Sequence, residues 1–224
     1  MAQDPAVSPV EPGVPEVVVM RLPQYVRVLS VLEVEGIEVV SSQQLGTRLQ
    51  VTPAQIRKDL SYFGRFGKQG RGYSVSFLLK ELRRILGLDR QWRACVVGVG
   101  RLGRAIINYP GFAPEAFRIV AAFDSNSQQI GNTVGDLKVQ GMSDLSQTVQ
   151  ERDISIGILA VPAAQAQSVV DQLVESRVRG ILNYAPVAPQ APKGTVMMNI
   201  DPVLSLQSMT FYLLGDADGA VASS

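Results

Sequence analysis

The sequence contains no histidine, a single cysteine and no long hydrophobic run. The absence of histidine removes the commonest general acid–base group and the commonest metal ligand. Cys95 has no second cysteine with which to form an intrachain disulfide, and there is no His/Cys cluster that could hold zinc. We therefore expect no metal site, and we do not expect a dehydrogenase that protonates its substrate through histidine.

Membrane and export signals are also missing from the sequence. No apolar run approaches the ~20 residues that a membrane span requires. Residues 1–20 contain acids and prolines in place of the basic start and apolar core of a secretory signal. We therefore expect a cytoplasmic protein without a membrane partner, and its 224 residues suffice for one large domain or two small ones.

The net charge of +1 conceals an uneven distribution of charge along the chain. Residues 21–86 carry eleven basic and five acidic side chains, an excess of six, whereas residues 87–212 carry ten of each. A basic first third joined to a neutral remainder suggests that the N-terminal part binds a polyanion.

A glycine-rich turn, Gly98-Val99-Gly100-Arg101-Leu102-Gly103, follows a short apolar run and precedes a helix-compatible run. Gly98 permits a tight turn, Gly100 leaves the backbone open to a pyrophosphate, and Gly103 lets helix and strand pack closely. The next expected strand ends at Asp124, where a carboxylate can accept hydrogen bonds from both ribose hydroxyls but would repel a 2′-phosphate. The pattern predicts NAD(H), as NADH or NAD⁺, rather than NADP(H). The alternative is a turn before a core helix with Asp124 in an ordinary loop.

Expected strands and helices alternate after Asp124, which is typical of the doubly wound, mostly parallel sheet of a Rossmann domain in the α/β class. We expect strands at 154–160, 180–184 and 195–200, a strand or hairpin at 134–140, and helices at 144–150 and 163–177. Ligands of such sheets bind beyond the carboxyl ends of the strands. Two segments are thereby placed near the coenzyme: Val161 and Pro162, and Asn183, Tyr184, Ala185 and Pro186. Both could instead be ordinary strand-exit loops.

Two closely spaced helix-start signals lie in the basic third of the chain. Ser41 and Gln44 form a capping box for one short helix, and Thr52 caps a second that we expect to run to about Phe63. Such a pair predicts a helix-turn-helix whose second helix reads DNA. The residues of that helix that we expect to contact DNA are Arg57, Lys58, Ser61 and Tyr62.

Glycines and aromatics between residues 64 and 75 predict a basic hairpin directly after this helix-turn-helix. The combination is a winged helix, with the second helix in the major groove and the wing on the backbone or in a minor groove. The wing residues that we expect to contact DNA are Lys68, Arg71, Gly72 and Tyr73. The alternative is a small helical dimerisation module with a solvated charged face.

The expected elements divide the chain into five segments. These are a mobile tail at 1–19, a winged-helix DNA-binding domain at 20–87, a Rossmann NAD(H)-binding domain at 88–200, a C-terminal helix at 201–215 and a loose tail at 216–224. We expect the first helix to begin near Leu22 with Pro23 in its first turn. The last helix, capped by Asp201 and ended by Gly215, is apolar on more than one side, which suits docking onto a partner subunit.

In this order of modules, the chain resembles the redox-sensing transcriptional repressors of the Rex family from about Arg21 to Leu214. The motifs that carry the resemblance are 57–64 in the second helix of the helix-turn-helix, 70–73 in the wing, 98–103 in the glycine-rich turn, 109–112 and 180–187. The resemblance implies a homodimer with a swapped C-terminal helix that represses genes from a palindromic operator. NADH would release it from DNA, and NAD⁺ would compete with NADH without causing release.

The resemblance also implies a polar switch made by Arg27, Tyr109 and Asp201, and no catalytic residues. Pro202 follows Asp201 where an apolar or aromatic side chain is more usual in the family. A small NAD(H)-dependent oxidoreductase with a fused basic module is the rival function, with Lys138, Lys193 and the tyrosines as remaining proton donors. A module for coenzyme A or adenylates is a third, because the glycine motif reads phosphates and ribose rather than nicotinamide.

Overall fold

The structure is a computed structural model that describes residues 13–68 and 71–221, without the side chains of Lys68 and of 215–221. The chain divides after Arg90 into two compact units, which we call the N-terminal and the C-terminal unit. Each unit has its own hydrophobic core. The expected combination of a winged helix with a mostly parallel Rossmann-type sheet is confirmed.

The N-terminal unit is built from short helices around a small sheet. Its elements are α1 (Glu16–Val34), β1 (Val39–Val40), α2 (Ser42–Leu49), α3 (Pro53–Ser61), β2 (Gly67–Lys68), β3 (Gly72–Ser74) and α4 (Val75–Ile85). Strand β3 lies between β1 and β2 and pairs antiparallel with both. Helices α2 and α3 form the predicted helix-turn-helix, and β2 and β3 form the predicted wing.

Local hydrogen bonds explain where α2 and α3 begin. The Ser41 hydroxyl accepts from Gln44 N at 3.1 Å, while Ser41 N donates to Gln44 Oε1 at 2.8 Å, so both halves of the predicted capping box are present. The Thr52 hydroxyl accepts from Gln55 N at 3.1 Å at the start of α3. Helix α2 ends where Gln50 adopts a left-handed conformation, φ 56°.

Helix α1 begins six residues earlier than the sequence suggested, at Glu16 rather than Leu22. The expected mobile tail is therefore helical from residue 16, because Val18 is buried in the core of the unit despite its modest helix propensity. Pro23 lies inside the helix, not in its first turn, on the exposed side of α1. Residues 1–12 lie outside the described part.

Two other helix ends differ from expectation. Helix α3 ends at Ser61 rather than near Phe63. The C-terminal helix α8 (Pro202–Val221) continues past Gly215, so the predicted loose tail is helical as far as residue 221. A glycine costs a helix only about 1 kcal/mol, which a helix of this length can absorb. Residues 222–224 lie outside the described part.

The C-terminal unit has a seven-stranded sheet in the order β10-β9-β8-β4-β5-β7-β6. Its strands are β4 (Trp92–Val97), β5 (Phe117–Asp124), β6 (Thr133–Val134), β7 (Leu137–Gly141), β8 (Ile156–Leu159), β9 (Gly180–Asn183) and β10 (Val196–Asn199). Its helices before α8 are α5 (Arg101–Ile107), α6 (Leu145–Glu151) and α7 (Ala163–Glu175). All strand pairs are parallel except β6 with β7.

The strand order reverses at β4. From β4 the chain builds outward through β5 and β7, and it then returns to add β8, β9 and β10 on the other side. The loops after β4 and β8 therefore diverge at the carboxyl edge, where open α/β sheets bind ligands. Among the described residues, no helix combines the length and the apolar character that crossing a bilayer requires.

Candidate DNA-binding surface and coenzyme cleft

A concave surface of about 650 Å³ lies between α3, the start of α2 and the wing. Arg57 Nη1 donates to the Ser42 hydroxyl at 3.0 Å, which ties the exposed guanidinium of α3 to the neighbouring helix. Arg65 and Tyr73 line the same concavity. Burial raises the pKa of Tyr73, although the charge of Arg57 opposes this, so its phenol stays neutral. The surface thus offers cations and hydroxyls, the groups that contact phosphates and bases.

Of the other predicted DNA contacts, Ser61 and Gly72 line this surface, and the side chain of Lys68 lies outside the described part of the chain. Lys58 and Ser61 are exposed on α3, and the Ser61 hydroxyl donates to the Lys58 carbonyl at 2.7 Å. Tyr62 is half-buried just after α3, and Arg71 is exposed at the wing. Gly72 is required there, because its φ is +73° and an added Cβ would lie 2.6 Å from the Val40 carbonyl oxygen.

The glycine-rich turn has the geometry that its sequence predicts. Gly98 has φ +92°, and an added Cβ would lie 2.5 Å from the Ala160 carbonyl oxygen. An added Cβ at Gly103 would lie 1.9 Å from the Gly98 carbonyl oxygen, so only glycine lets α5 approach the turn this closely. No atom lies within 4 Å of the corresponding position at Gly100, which faces open space. The backbone at Gly100 is therefore accessible to a ligand.

A cleft of about 740 Å³ opens at the carboxyl edge of the sheet, beside this turn. Its lining residues include Gly98, Gly100, Arg101, Leu102, Asp124, Ser125, Asn126, Met142, Val161, Pro162, Gln165, Ser168 and Gln172. The volume is within the range of sites for small ligands and cofactors. An open backbone, an acid and an apolar wall in one cleft match the requirements of a dinucleotide.

Asp124 connects the glycine-rich turn to the loop after β5 by hydrogen bonds. Its Oδ2 accepts from Val99 N at 2.7 Å, and its Oδ1 accepts from Asn126 N at 2.8 Å. A carboxylate has about four lone-pair positions, so two remain for ligand hydroxyls. Asp124 therefore orders the glycine-rich turn and can still accept from a ribose.

The C-terminal unit has two apolar surfaces that nothing within the described chain covers. Helix α8 is exposed along all of residues 202–214, with Leu204 at 61% and Phe211 at 76%. An apolar groove of about 500 Å³ crosses the sheet, and residues from five strands line it together with Tyr109 and Phe112. Exposed apolar surface of this extent marks an interaction site.

Comparison with known proteins agrees with a DNA-binding surface in the N-terminal unit and a coenzyme cleft in the C-terminal unit. Residues 13–61 match the family described as "Putative DNA-binding protein N-terminus", and residues 89–187 match the one described as "CoA binding domain". The redox-sensing transcriptional repressor Rex of Chloroflexus aggregans is 54% identical over 199 residues, which cover 89% of this chain and 94% of the relative. This chain belongs to the Rex family. The repressors of that family, not coenzyme A modules, are thus the relatives that match most of its length.

Solved structures of RSP, described as a Rex-family repressor, have the same fold as this Rex-family chain. RSP in complex with NAD⁺ and operator DNA is 34% identical, with a TM-score of 0.87 and coverage of 91% of this chain and 94% of RSP. RSP in complex with NADH is 31% identical, with a TM-score of 0.84 and coverage of 94% and 99%.

Most of the predicted coenzyme residues meet at the cleft. Gly98, Gly100, Arg101, Leu102, Asp124, Val161 and Pro162 line it. Val99 is buried beneath the turn and contributes its N–H to Asp124, and Gly103 packs against Gly98. The glycine-rich turn and the loop after β8 are therefore brought together by the fold.

The second predicted segment does not line the cleft. Asn183 is fully buried; its Oδ1 accepts from Ala185 N at 2.9 Å, and its Nδ2 donates to the Val187 carbonyl at 2.7 Å and to Asn199 Oδ1 at 2.8 Å. Ala185 is buried, Tyr184 packs on the sheet, and Pro186 is exposed. The observed role of Asn183 is to fold the loop after β9, and contact of this segment with the coenzyme stays a prediction.

Of the three predicted switch residues, Arg27 belongs to the N-terminal unit, and Tyr109 and Asp201 belong to the C-terminal unit. Arg27 is exposed on α1. Tyr109 is 59% exposed, with its ring edge-on to Phe112 at a centroid distance of 5.1 Å. Asp201 Oδ1 accepts from Val203 N at 2.9 Å, so it caps α8 as predicted. Their joint action as a switch stays a prediction.

Sequence analysis missed the polar face of α7 in the cleft. Gln165, Ser168 and Gln172 are three and four residues apart, which places them on one face of a helix, and all three line the cleft. That spacing is visible in the sequence and could have identified them. Ser125 and Asn126, immediately after Asp124, were missed as well, and so was Arg65 on the DNA-binding surface.

Within 13–68 and 71–221, no three His, Cys, Asp or Glu side chains cluster as metal ligands. Lys138 and Lys193, two of the remaining proton donors, are exposed and do not line the cleft. The described cleft therefore presents neither of these two lysines to a ligand.

Proposed function

We propose that this Rex-family chain is an NADH-responsive transcriptional repressor that binds a palindromic operator as a homodimer and leaves it when NADH binds. One observation carries the proposal: a basic winged helix and a dinucleotide cleft lie in separate units of one chain. RSP, which shares the fold over most of its length, is known in complex with operator DNA and NAD⁺ and in complex with NADH.

The cleft fits the dinucleotide on three grounds. Its volume is sufficient, the backbone at Gly100 is open to a pyrophosphate, and Asp124 has free lone pairs for ribose hydroxyls. The negative charge of Asp124 disfavours a 2′-phosphate, so we expect NADH and NAD⁺ rather than the phosphorylated coenzymes. A reduced nicotinamide carries no positive charge and therefore enters apolar surroundings at lower desolvation cost than the oxidised ring.

Dimerisation is supported by the two uncovered apolar surfaces of the C-terminal unit. Helix α8 of one copy supplies an apolar rod, and the groove of a second copy supplies a sheet face of matching character. Exchange of α8 between two chains would bury both surfaces, and a two-fold symmetric dimer matches a palindromic site. We place this dimer in the cytoplasm, without enzymatic activity.

Coenzyme and operator compete through the arrangement of the two DNA-binding surfaces rather than through a shared site. Dimeric helix-turn-helix proteins require their recognition helices about 34 Å apart, one turn of duplex. A dimer that changes this spacing on binding NADH loses the operator, and the operator must then weaken NADH binding to the same extent. Arg27, Tyr109 and Asp201 are our candidates for the polar contacts that differ between the two arrangements.

The decisive experiment is a gel shift with a palindromic operator in the presence of no coenzyme, NADH or NAD⁺. We expect a complex that NADH dissociates and NAD⁺ does not, with excess NAD⁺ protecting the complex from NADH. A complex that is equally stable in saturating NADH would overturn the proposal. Oxidation of NADH by a simple carbonyl compound would instead favour the oxidoreductase.

A further inference from the structure

A fully buried carboxylate lies on the inner side of the recognition helix α3. Asp59 has no exposed side-chain surface, although it follows Arg57 and Lys58, which are exposed. Its partners are on α1: Arg21 donates from Nε to Oδ2 and from Nη2 to Oδ1, both at 2.7 Å, and the Tyr25 hydroxyl donates to Oδ2 at 2.5 Å. Asp59 therefore links the two helices.

The carboxylate is fully satisfied by these partners and one more. Gln55 Nε2, one turn earlier on α3, donates to Oδ1 at 2.6 Å. Each oxygen of Asp59 thus accepts two hydrogen bonds, which accounts for all of its lone pairs. An ionised carboxylate with four donors around it has one favourable orientation, whereas apolar contacts between helices tolerate rotation and sliding.

Charge states of the cluster agree with this geometry. Burial by itself would raise the pKa of Asp59, but the hydrogen bonds from Arg21, Tyr25 and Gln55 outweigh it and lower the pKa. Burial and the neighbouring carboxylate raise the pKa of Tyr25, so its hydroxyl remains a donor. The cluster is therefore an ion pair with a neutral phenol at any pH at which DNA binding would be measured.

The hydrogen bonds between Arg21 and Asp59 also restrict the rotation of α3. A planar guanidinium that donates two parallel hydrogen bonds fixes both the distance and the rotation of the carboxylate it binds. Rotation of α3 about its own axis would break one of the two bonds and would swing Arg57 away from its place beside Ser42. The Arg21 fork on Asp59 therefore opposes the motion that would misplace the DNA-contacting side chains.

We propose that Asp59, held by Arg21 and Tyr25, is a positioning residue that sets the rotation of the recognition helix and thereby the preference for operator over other DNA. This inference rests on the proposed function. Contacts to phosphates tolerate small displacements and supply affinity for any duplex, whereas hydrogen bonds to base edges require exact placement and supply specificity. Loss of the link should therefore reduce the specificity ratio more than the affinity for unrelated DNA.

The test compares the dissociation constants of the full-length protein for its operator and for a scrambled duplex of equal length, at one salt concentration. In Tyr25→Phe, which removes one donor and keeps the ring, we expect the specificity ratio to fall about fivefold to tenfold. In Arg21→Lys, which keeps the charge and loses the fork, we expect a similar fall. Binding to the scrambled duplex should stay within about twofold of the parent in both variants.

Glu35→Gln is the matched control. It breaks an exposed ion pair in the same unit, in which Arg48 Nη2 lies 2.7 Å from Glu35 Oε2, and it touches neither α3 nor the cluster. We expect its specificity ratio to equal that of the parent. Melting curves of all variants give the folded fraction, by which both dissociation constants are corrected before the ratios are compared.

The measurements distinguish a failure of the positioning role from a failure of the proposed function. An unchanged ratio in both Tyr25→Phe and Arg21→Lys, or an equal loss of both affinities, would overturn the positioning role and leave Asp59 a structural residue only. A parent protein without any preference for the operator would overturn the proposed function before a variant is examined, and this inference with it.

Discussion

The recognition helix α3 and the C-terminal helix α8 differ in how much of each helix is buried against the rest of the chain. On α3, Ile56, Asp59 and Leu60 are buried, and hydrogen bonds from α1 hold the helix in one orientation. On α8, every described side chain from 202 to 214 is exposed, and most of them are apolar. The recognition helix is therefore supported within one chain, whereas the C-terminal helix is left exposed, as the proposed dimer requires.

Because of this difference, we expect changes in the two helices to impair different properties of the protein. A change in α3 or its supports should alter what each subunit reads, without affecting the coenzyme. A change in α8 or in the apolar groove should alter whether two subunits are held together at the correct spacing. Variants in each region test whether DNA reading and dimerisation divide in this way.

Removal of residues 202–224 should have the largest effect. Without α8 we expect a monomer by analytical ultracentrifugation, because the groove loses its partner helix. Operator affinity should then fall by about a hundredfold or more, since the two half-sites are no longer bound by linked subunits. Leu206→Asp, on the exposed part of α8, should weaken the dimer in the same direction. A truncated chain that remains dimeric would place the interface elsewhere.

Asp124→Ala should weaken NADH about tenfold to a hundredfold, because it removes a charged acceptor for ribose and releases the Val99 N–H of the glycine-rich turn. Calorimetry or fluorescence titration measures this directly. Operator affinity without coenzyme should be nearly unchanged. Asp136→Ala removes an exposed carboxylate of the same unit and is the control; equal losses in the two variants would show a general effect of charge.

Arg57→Ala should show the reverse pattern. We expect about a tenfold loss of operator affinity with NADH binding unaffected, since a well-placed arginine contributes about 1–3 kcal/mol to base recognition. Arg84→Ala, which removes a cation from an exposed pair with Glu81 on α4, is the matched control. Operator binding that survives Arg57→Ala intact would mean that the recognition surface is misassigned.

Tyr109→Phe should bind operator and NADH almost normally and lose part of the coupling between them. The hydroxyl is exposed in a single chain, so its removal should cost little stability. We expect the factor by which operator weakens NADH binding to fall about threefold to tenfold. NADH titrations with and without operator measure that factor, and an undiminished factor removes Tyr109 from the switch.

Thiol reagents should have the smallest effect. Burial raises the pKa of Cys95 to about 12, so hardly any reactive thiolate exists at neutral pH. Mild peroxide or a maleimide should therefore leave operator binding and its response to NADH unchanged in a gel shift. Modification of Cys95 at the rate of a free thiol would contradict the buried environment.

The elements with local signals were the ones that sequence analysis predicted well. Ser41, Gln44 and Thr52 satisfy the first N–H groups of α2 and α3 within four residues, so the pattern and the structure coincide. The glycines of the turn after β4 are required by backbone geometry that the motif itself encodes. The local signals predicted the two modules, and the resemblance to a family predicted their function.

Errors and omissions concern residues whose surroundings come from distant parts of the chain. Val18, which the sequence placed in a tail, is helical and buried. Nothing in the local sequence around Asp59 indicated that this residue would be buried and would accept hydrogen bonds from Arg21, 38 residues earlier. The hydrogen bonds by which Asn183 folds the loop after β9 were not foreseen either, and contact of that segment with the coenzyme stays a prediction.

Local sequence was sufficient to establish the two modules, the caps of the helix-turn-helix, the glycine-rich turn and the acid at the end of β5, because each depends on neighbours within a few residues. Tertiary contacts decided that the polar face of α7, itself visible in the spacing of its residues, lines the cleft, that Asp59 is buried between two helices, and that α8 and one face of the sheet remain uncovered. Those outcomes depend on contacts between distant segments, whose energies are set by burial and geometry and leave no local pattern in the chain.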